Sequence, residues 1–411
     1  MTTGHATPGH GTIDPAKLRP ATRLVHGGVH RSAHGETAEA LYLTSGYVYD
    51  SAEQAEGTFA GTVEHYQYSR FANPTITMLE QRLALVEGAE ACRATASGMA
   101  AVYLALTGLL RAGDHVVAGR ALFGSCRWIL NNWGPRYGVE TTFVDAADTA
   151  AWKAAIRPNT KVVFIESPAN PLLEITDIAA VAAMAREVGA RVLVDNVFAT
   201  PIFQKPLQLG ADIVIYSATK HIDGQGRVLG GAILGETKLL DESYRDFIRH
   251  TGPALSPFNA WVLLNGLTTL DLRVRAQSAS AASLADRIAA HRKVKTVRYP
   301  GRADHPQHEV ARRQLTGGGN AMIGGGNLVA FDLGSQAAAF NFLNALEIVV
   351  ISNNLGDARS MATHPTTTTH RSMTEEQRLE IGLTPGWVRL NVGLEGAGDL
   401  TRDIEQALDA A

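Results

Sequence analysis

From about residue 74 onward the chain alternates between two spacings of apolar positions. Over 74–88, Ile76, Leu79, Leu83 and Val86 fall on one helical face and Gly88 stands where a stop is needed. The runs 115–118, 161–166, 191–195 and 212–216 are short and apolar, and read as buried strands. Between the second and third of these, Asp177 is placed to cap a helix carrying Ile178, Val181, Ala182, Ala185 and Val188, with Gly189 ending it. Strand, helix, strand in that order predicts a parallel pair joined by a right-handed crossover. Residues 230–235 read as a strand returning antiparallel. One long helix is predicted from about Phe258 into the 280s. Beyond it, 294–299, 327–333 and 346–351 alternate like strands. The glycines at 317–319 and 324–326 lie between them without strand–helix context and read as a loop rather than a phosphate site.

The first 64 residues lack this pattern. Residues 1–20 are rich in Gly, Thr, His and Pro and read as an arm, while 21–64 hold only short pieces such as 41–45 and are expected to pack on another chain or domain. A boundary near residue 268 divides the remainder, giving segments 1–64, 65–268 and 269–411. With 411 residues the chain exceeds one ordinary core. At 45% hydrophobic, 19% charged and a net charge of −3, it reads as a soluble globular protein with no case for a nucleic-acid or membrane-surface partner. No run of eighteen apolar residues predicts a spanning helix, and the N-terminus lacks a secretory signal pattern. Cys92 and Cys126 are too few and too far apart for a disulfide framework or a metal site, so a reducing cytoplasm is expected.

Candidate chemistry gathers at strand ends, where open α/β sheets bind ligands. Asp195 closes one strand, and Ser217, Thr219 and Lys220 close the next. A carboxylate, two hydroxyls and an amine at one edge suit pyridoxal 5′-phosphate: the amine can carry its aldehyde and the carboxylate can keep its ring nitrogen protonated. Taken singly, Asp195 is a cap or turn former and Lys220 a solvated lysine; the pairing at successive strand ends gives them weight. Ser97, Gly98 and Met99 open an apolar helix, as an anion site or simply a serine cap. Phe123 follows a strand and stacks on a planar ring or fills the core. Tyr68 and Arg70 offer a phenol and a guanidinium for phosphate, or form an exposed turn. Arg389 alternates with Val388 and Leu390 on a short strand, as a carboxylate clamp or a surface ion pair. His364 and His370 flank a threonine run that offers no transition-metal ligands. No early Gly-x-Gly-x-x-Gly supports a nicotinamide dehydrogenase, and 1–64 shows no helix-turn-helix for a regulator.

The chain resembles the Cys/Met-metabolism enzymes that use pyridoxal 5′-phosphate, over about residues 21–405. The resemblance rests on Tyr68-Ser69-Arg70 with Asn73-Pro74-Thr75, Ser97-Gly98-Met99, Glu166-Ser167-Pro168-Ala169-Asn170-Pro171, Asp195-Asn196, Ser217-Ala218-Thr219-Lys220-His221, and Asn354-Leu355-Gly356-Asp357 with Thr363-His364-Pro365. It implies an α/β, aspartate aminotransferase-like (fold type I) enzyme with a mostly parallel seven-stranded sheet and a smaller α+β C-terminal domain. It implies Lys220 as the cofactor-bearing lysine and Asp195 as the ring-nitrogen partner, with a phosphate cradle from Ser97, Gly98, Met99, Ser217 and Thr219. Tyr68 and Arg70 would reach a neighbouring subunit's phosphate, within a homotetramer whose active sites are shared between two subunits and whose N-terminal arm contacts the neighbour. Asn170, Asn354 and Arg389 match positions around the substrate carboxylate and cofactor. Phe123 replaces the usual stacking tyrosine and Val197 a common threonine or serine, features of the sulfhydrylase branch. That branch implies γ-replacement on O-succinyl-L-homoserine by sulfide, giving homocysteine and succinate, with Lys220 as main acid/base and Tyr68 a weaker candidate. A synthase, an acetyl-ester sulfhydrylase or a γ-lyase is the alternative.

Overall fold

The computed structural model describes residues 17–411, so the arm expected over 1–20 lies almost wholly outside the described residues. Seven strands form the larger sheet in the order β1-β7-β6-β5-β4-β2-β3. They are β1 (Ala91–Thr95), β2 (His115–Gly119), β3 (Glu140–Val144), β4 (Thr160–Glu166), β5 (Arg191–Asp195), β6 (Ile213–Ser217) and β7 (Gly231–Gly235). Neighbours among β2 to β6 pair in parallel, whereas β7 runs antiparallel to both β6 and β1, as its sequence suggested.

A parallel sheet is covered on both faces, and the strands show it. Val162, Phe164, Leu193 and Ile215 turn to one side and pack with helices Gly98–Thr107 and Thr237–Thr251. Val163, Ile165, Val192 and Val194 turn to the other and pack with helices Thr149–Ala155 and Ile178–Glu187. Helix Pro74–Glu87 begins at an Asn73 cap and ends at Gly88 with φ +84°, and the face Ile76, Leu79, Leu83 and Val86 is buried. Asp177 caps its helix by accepting from the Ala180 N–H.

The smaller sheet has the order β10-β11-β12-β9-β8. Its strands are β8 (Thr296–Arg298), β9 (Leu328–Asp332), β10 (Val350–Ile351), β11 (Met361–Thr363) and β12 (Trp387–Asn391). Helices Gln336–Ala345 and Ala397–Ala410 cover it together with the C-terminal half of Leu270–Ala290. The glycine-rich stretch between β8 and β9 holds no regular element after residue 314, as expected.

Two expectations change and two strands are added. The single helix from Phe258 is two, Pro257–Leu267 and Leu270–Ala290. The break arises because the Arg273 guanidinium donates to the Gly266 carbonyl at 2.9 Å and to the His221 carbonyl at 2.9 Å, pinning the helix end against the turn after β6. The strand expected over 346–351 shrinks to Val350–Ile351. The carboxylate of Asp403 takes the N–H groups of Glu347, Ile348 and Val349 at 2.7, 3.0 and 2.9 Å, leaving them unavailable to a ladder. Strands β1 and β3 were not anticipated: β1 is interrupted by Arg93, and β3 is a sheet edge whose residues are mostly half-exposed. Residues 20–42 pack on the 65–268 segment of their own chain. Arg82 pairs with Glu39 at 2.5 Å and donates to the Gly27 carbonyl, while Trp261 donates to the Glu39 carbonyl. Beyond this stretch Leu43, Val48 and Phe59 stand exposed.

Because Phe164 is fully buried between β2 and β5, Phe164→Ala is expected to cost about 3–5 kcal/mol. Lys161→Ala, exposed on the same strand, is expected to change stability by no more than about 0.5 kcal/mol. Chemical denaturation of the two variants checks both.

Candidate active site

Period-two alternation builds the floor of the main cavity. On β4 and β5 the residue two places beyond Phe164 is Glu166, and two beyond Leu193 is Asp195; on β6 Ser217 follows Ile215. Each therefore continues the same face past the end of the apolar layer. The register sets Glu166 opposite Asp195 and Asp195 opposite Ile215. All four line one cavity with Gly98, Met99, Phe123, Asn170, Lys220 and Arg389.

Burial raises both carboxyl groups, and for Glu166 the neighbouring Asp195 charge adds to the effect. Glu166 still accepts the Phe123 and Asn170 N–H groups, at 2.7 and 2.9 Å, and Asp195 accepts the Val197 N–H at 3.1 Å. A cationic N–H placed against Asp195 would relieve its burial by supplying the missing counter-charge.

Lys220 lies beyond the strand, which ends at Ser217. Residues 217–224 form turns, with the Lys220 N–H on the Ser217 carbonyl and the Gly224 N–H on the Lys220 carbonyl. Its Nζ donates to Asn354 Oδ1 at 2.6 Å. Burial, and then the Arg389 charge, pull its pKa down to about 8. Asn354 comes within reach because the 353–357 turn sits directly on the Lys220–His221 peptide. A Cβ on Gly356, whose φ is +73°, would lie 2.5 Å from the His221 nitrogen. Asn391 and Asn327 lock this contact: Asn391 Oδ1 accepts from the Gly356 N–H at 2.7 Å and from Asn327 Nδ2 at 2.9 Å, and Asn327 Oδ1 meets His221 Nε2 at 2.8 Å. Neither asparagine was singled out from sequence as a support, although Asn391 shares a strand face with Arg389.

At the opposite end, helix Gly98–Thr107 points its first turn at Ser217. A Cβ on Gly98 would lie 2.6 Å from the Ser217 Cβ and 2.8 Å from its Oγ. The first-turn N–H groups of Gly98 and Met99 have no intrahelical acceptor and face an anion-ready corner beside the Ser217 hydroxyl. Ser97 spends its hydroxyl as the helix cap, accepting from the Ala100 N–H at 3.1 Å. Thr219 is off the strand; its Oγ1 exchanges hydrogen bonds with the backbone of Gly230 at 3.1 and 3.3 Å. Phe123 is 36% exposed on the cavity wall, which excludes a closed-core role.

Arg389, on β12, crosses from the smaller sheet. At 2% exposure it is no surface ion pair. Nη1 donates to Asn170 Oδ1 at 2.8 Å and Nη2 to the Asn353 carbonyl at 2.9 Å, while Nε is buried without a partner. A guanidinium held this way keeps a donor for a carboxylate. Tyr68 and Arg70 do not join the cavity of their own chain. Tyr68 is 43% exposed, and Arg70 donates to the Arg249 carbonyl and stacks over Phe71 beside a separate pocket.

Pyridoxal 5′-phosphate fits this arrangement: a phosphate corner at Gly98, Met99 and Ser217, an amine at Lys220, an aromatic wall at Phe123 and an acid at Asp195. The sequence model of the Cys/Met metabolism PLP-dependent enzymes matches residues 21–409. An O-succinylhomoserine sulfhydrylase of Mycobacterium tuberculosis is 52% identical, covering 96% of this chain and 97% of its own length. An L-methionine gamma-lyase of Pseudomonas putida is 41% identical over 95% of this chain and 97% of its own. A cystathionine gamma synthase from Xanthomonas oryzae pv. oryzae, solved with aminoacrylate and cysteine, superposes with a TM-score of 0.89 at 34% identity, over 96% of this chain and 98% of that one.

Only the neutral amine can add to an aldehyde, and Lys220 gains that form as pH rises through about 8. Uptake of added cofactor by stripped protein is therefore expected to accelerate with pH and to level off above about 8, as followed by visible absorbance.

Proposed function

The chain belongs to the Cys/Met metabolism PLP-dependent enzyme family, and on that premise we propose that it replaces the γ-substituent of O-succinyl-L-homoserine with sulfide, yielding L-homocysteine and succinate. The fold is that of the family's fold type I enzymes, and the cofactor is pyridoxal 5′-phosphate. When bound, the cofactor supplies an electron-withdrawing ring that spreads negative charge from the substrate's α-carbon.

The chain's own groups divide the remaining work. Asp195 holds a proton at the ring nitrogen. Arg389, braced by Asn170 and the Asn353 carbonyl, holds the substrate carboxylate through the donors it keeps free. Lys220 Nζ takes the α-proton and serves the later proton transfers. A pKa near 8 lets it alternate between amine and ammonium around neutrality, and Asn354 Oδ1 gives it a fixed resting point. Phe123 packs on the ring without offering a phenol, so Lys220 remains the main acid/base of the cavity. Met99, Gly98 and Ser217 hold the phosphate from within the chain.

Tyr68 and Arg70 are left to complete a neighbouring subunit's site, which makes a homotetramer of shared sites the natural assembly. Exposed Leu43, Val48 and Phe59 offer the apolar surface for that contact, so within the N-terminal segment 1–64 it is 43–64 that is read as reaching a neighbouring subunit, with 65–268 and 269–411 as the two domains. Among the described residues no helix is long and apolar enough to cross a membrane; cytoplasmic location rests on the two unpaired cysteines.

The observation that carries the choice of reaction is the 52% identity to a sulfhydrylase over 96% of the chain. The 41% identity to a methionine lyase keeps γ-elimination as the second reading, because the proton chemistry at Lys220 serves both.

Lys220→Ala is expected to abolish turnover and the bound cofactor's visible absorbance as carried on the wild type. Arg389→Ala, which empties a buried charged site, is expected to raise KM for the ester by about two orders of magnitude. Steady-state assays of the succinyl, acetyl and phosphoryl esters with sulfide and with cysteine distinguish the reactions. Homocysteine from the succinyl ester and sulfide supports the proposal. Cystathionine from cysteine, a preference for another ester, or 2-oxobutyrate irrespective of thiol replaces it.

A further inference from the structure

Glu166 occupies a place where the strand pattern calls for a hydrophobe or a ligand contact. It is 7% exposed, lines the cavity and stands opposite Asp195 across a parallel pair. Two neighbouring buried carboxyl groups oppose each other's ionisation, so keeping both costs stability unless other contacts compensate. For Glu166 the compensation is specific. Oε2 accepts the N–H of Phe123, in the segment after β2, at 2.7 Å. Oε1 accepts the N–H of Asn170, in the segment after β4, at 2.9 Å. The Asn170 side chain in turn accepts from Arg389 Nη1 at 2.8 Å. One carboxyl group thus ties together the aromatic wall and the guanidinium clamp, which come from three different strands in two sheets.

We propose that Glu166 is a positioning residue that couples the stacking of Phe123 on the cofactor ring to the seating of the substrate carboxylate by Asn170 and Arg389, one carboxyl oxygen serving each side. This rests on the roles given above to Phe123 and Arg389. Glu166 acts by fixing two backbone segments that follow different strands. The site then accepts the substrate carboxylate only when the ring is sandwiched, which ties substrate orientation to cofactor orientation.

Glu166→Gln on the holoenzyme tests this. Glutamine keeps the size but replaces one acceptor oxygen with an NH2 group, which meets a facing N–H as donor against donor. Two readouts that need no turnover are followed: visible circular dichroism of the bound cofactor, reporting ring orientation, and spectral titration with L-alanine, an amino acid without a leaving group. Glu166→Gln is expected to change the dichroic band and to weaken L-alanine by about tenfold to a hundredfold. Asn170→Ala keeps its own N–H to Glu166 but removes the acceptor of Arg389 Nη1, so it is expected to weaken L-alanine. The double variant is expected to bind L-alanine about as weakly as the worse single variant, because both act through one link. Glu166→Asp keeps the carboxyl group and both oxygens but withdraws them by one methylene, and is expected to reproduce the paired loss even if the glutamine variant proves unstable. The proposal is overturned if Glu166→Gln leaves band and affinity within twofold of wild type, if the two single effects multiply in the double variant, or if aspartate restores both readouts. Because neither readout involves the ester or sulfide, a paired change in an enzyme that makes no homocysteine upholds this inference while removing the reaction assigned above.

Discussion

Two carboxyl groups side by side in a buried cavity are the constraint around which this molecule is arranged. Glu166 and Asp195 end adjacent parallel strands in register and on the same face. Burial raises the proton affinity of both, and the Asp195 charge raises that of Glu166 further, unless donors compensate. Asp195 has a single backbone donor, from Val197, and in the proposed reaction is completed by the cofactor's ring nitrogen. Glu166 is completed by the protein, through two backbone N–H groups. On that proposal the same electrostatic problem has one internal solution and one external one, and the external one would set where the ring lies.

The cation side is arranged in complement. Lys220 and Arg389 face one cavity, and the charge on Arg389 adds to burial in lowering the lysine to about 8. Arg389 itself falls to about 10 because burial outweighs the stabilising influence of Glu166. An amine that loses its proton near neutrality and a guanidinium that does not are different tools: in the proposed reaction one moves protons and the other holds a carboxylate. Their division follows from side-chain chemistry, since both sit in similar surroundings. The cost of withdrawing these charges from water is shared by main-chain partners beyond the strand ends: Asn170, Phe123 and Val197 donate N–H groups to the carboxyl groups, and the Asn353 carbonyl accepts from Arg389.

The second sheet matters through what it reaches across. Arg389 on β12 and Asn354 beside β10 are supplied to a cavity whose floor belongs wholly to the first sheet. Gly356 permits the close approach, because a side chain there would collide with the backbone after Lys220. The Asn391–Asn327–His221 contacts hold the two parts in that relation, with the imidazole kept neutral by burial, its pKa lowered to about 4. Movement of the smaller sheet relative to the larger would therefore carry the carboxylate clamp and the lysine's hydrogen-bond acceptor together.

Local pattern alone determined the central strands, the helices at 74–87 and 178–187, and the presence of an acid, two hydroxyls and an amine near one sheet edge, because period-two and period-3.6 burial is written directly into residue spacing. The parity that puts Glu166 beside Asp195 was also legible at the strand ends, though only register makes it a pair. Tertiary structure decided the rest. It broke the helix at Thr268 through a side chain, Arg273, from the following helix, and it spent the Asp403 carboxylate on backbone groups that a strand would have used. It engaged the Ser97 hydroxyl as a helix cap and the Thr219 hydroxyl with the Gly230 backbone, and it kept Tyr68 and Arg70 outside their own chain's cavity. These outcomes depend on which groups lie within about 3 Å after the sheets pack, and distance between residues far apart in sequence is information that no local periodicity contains.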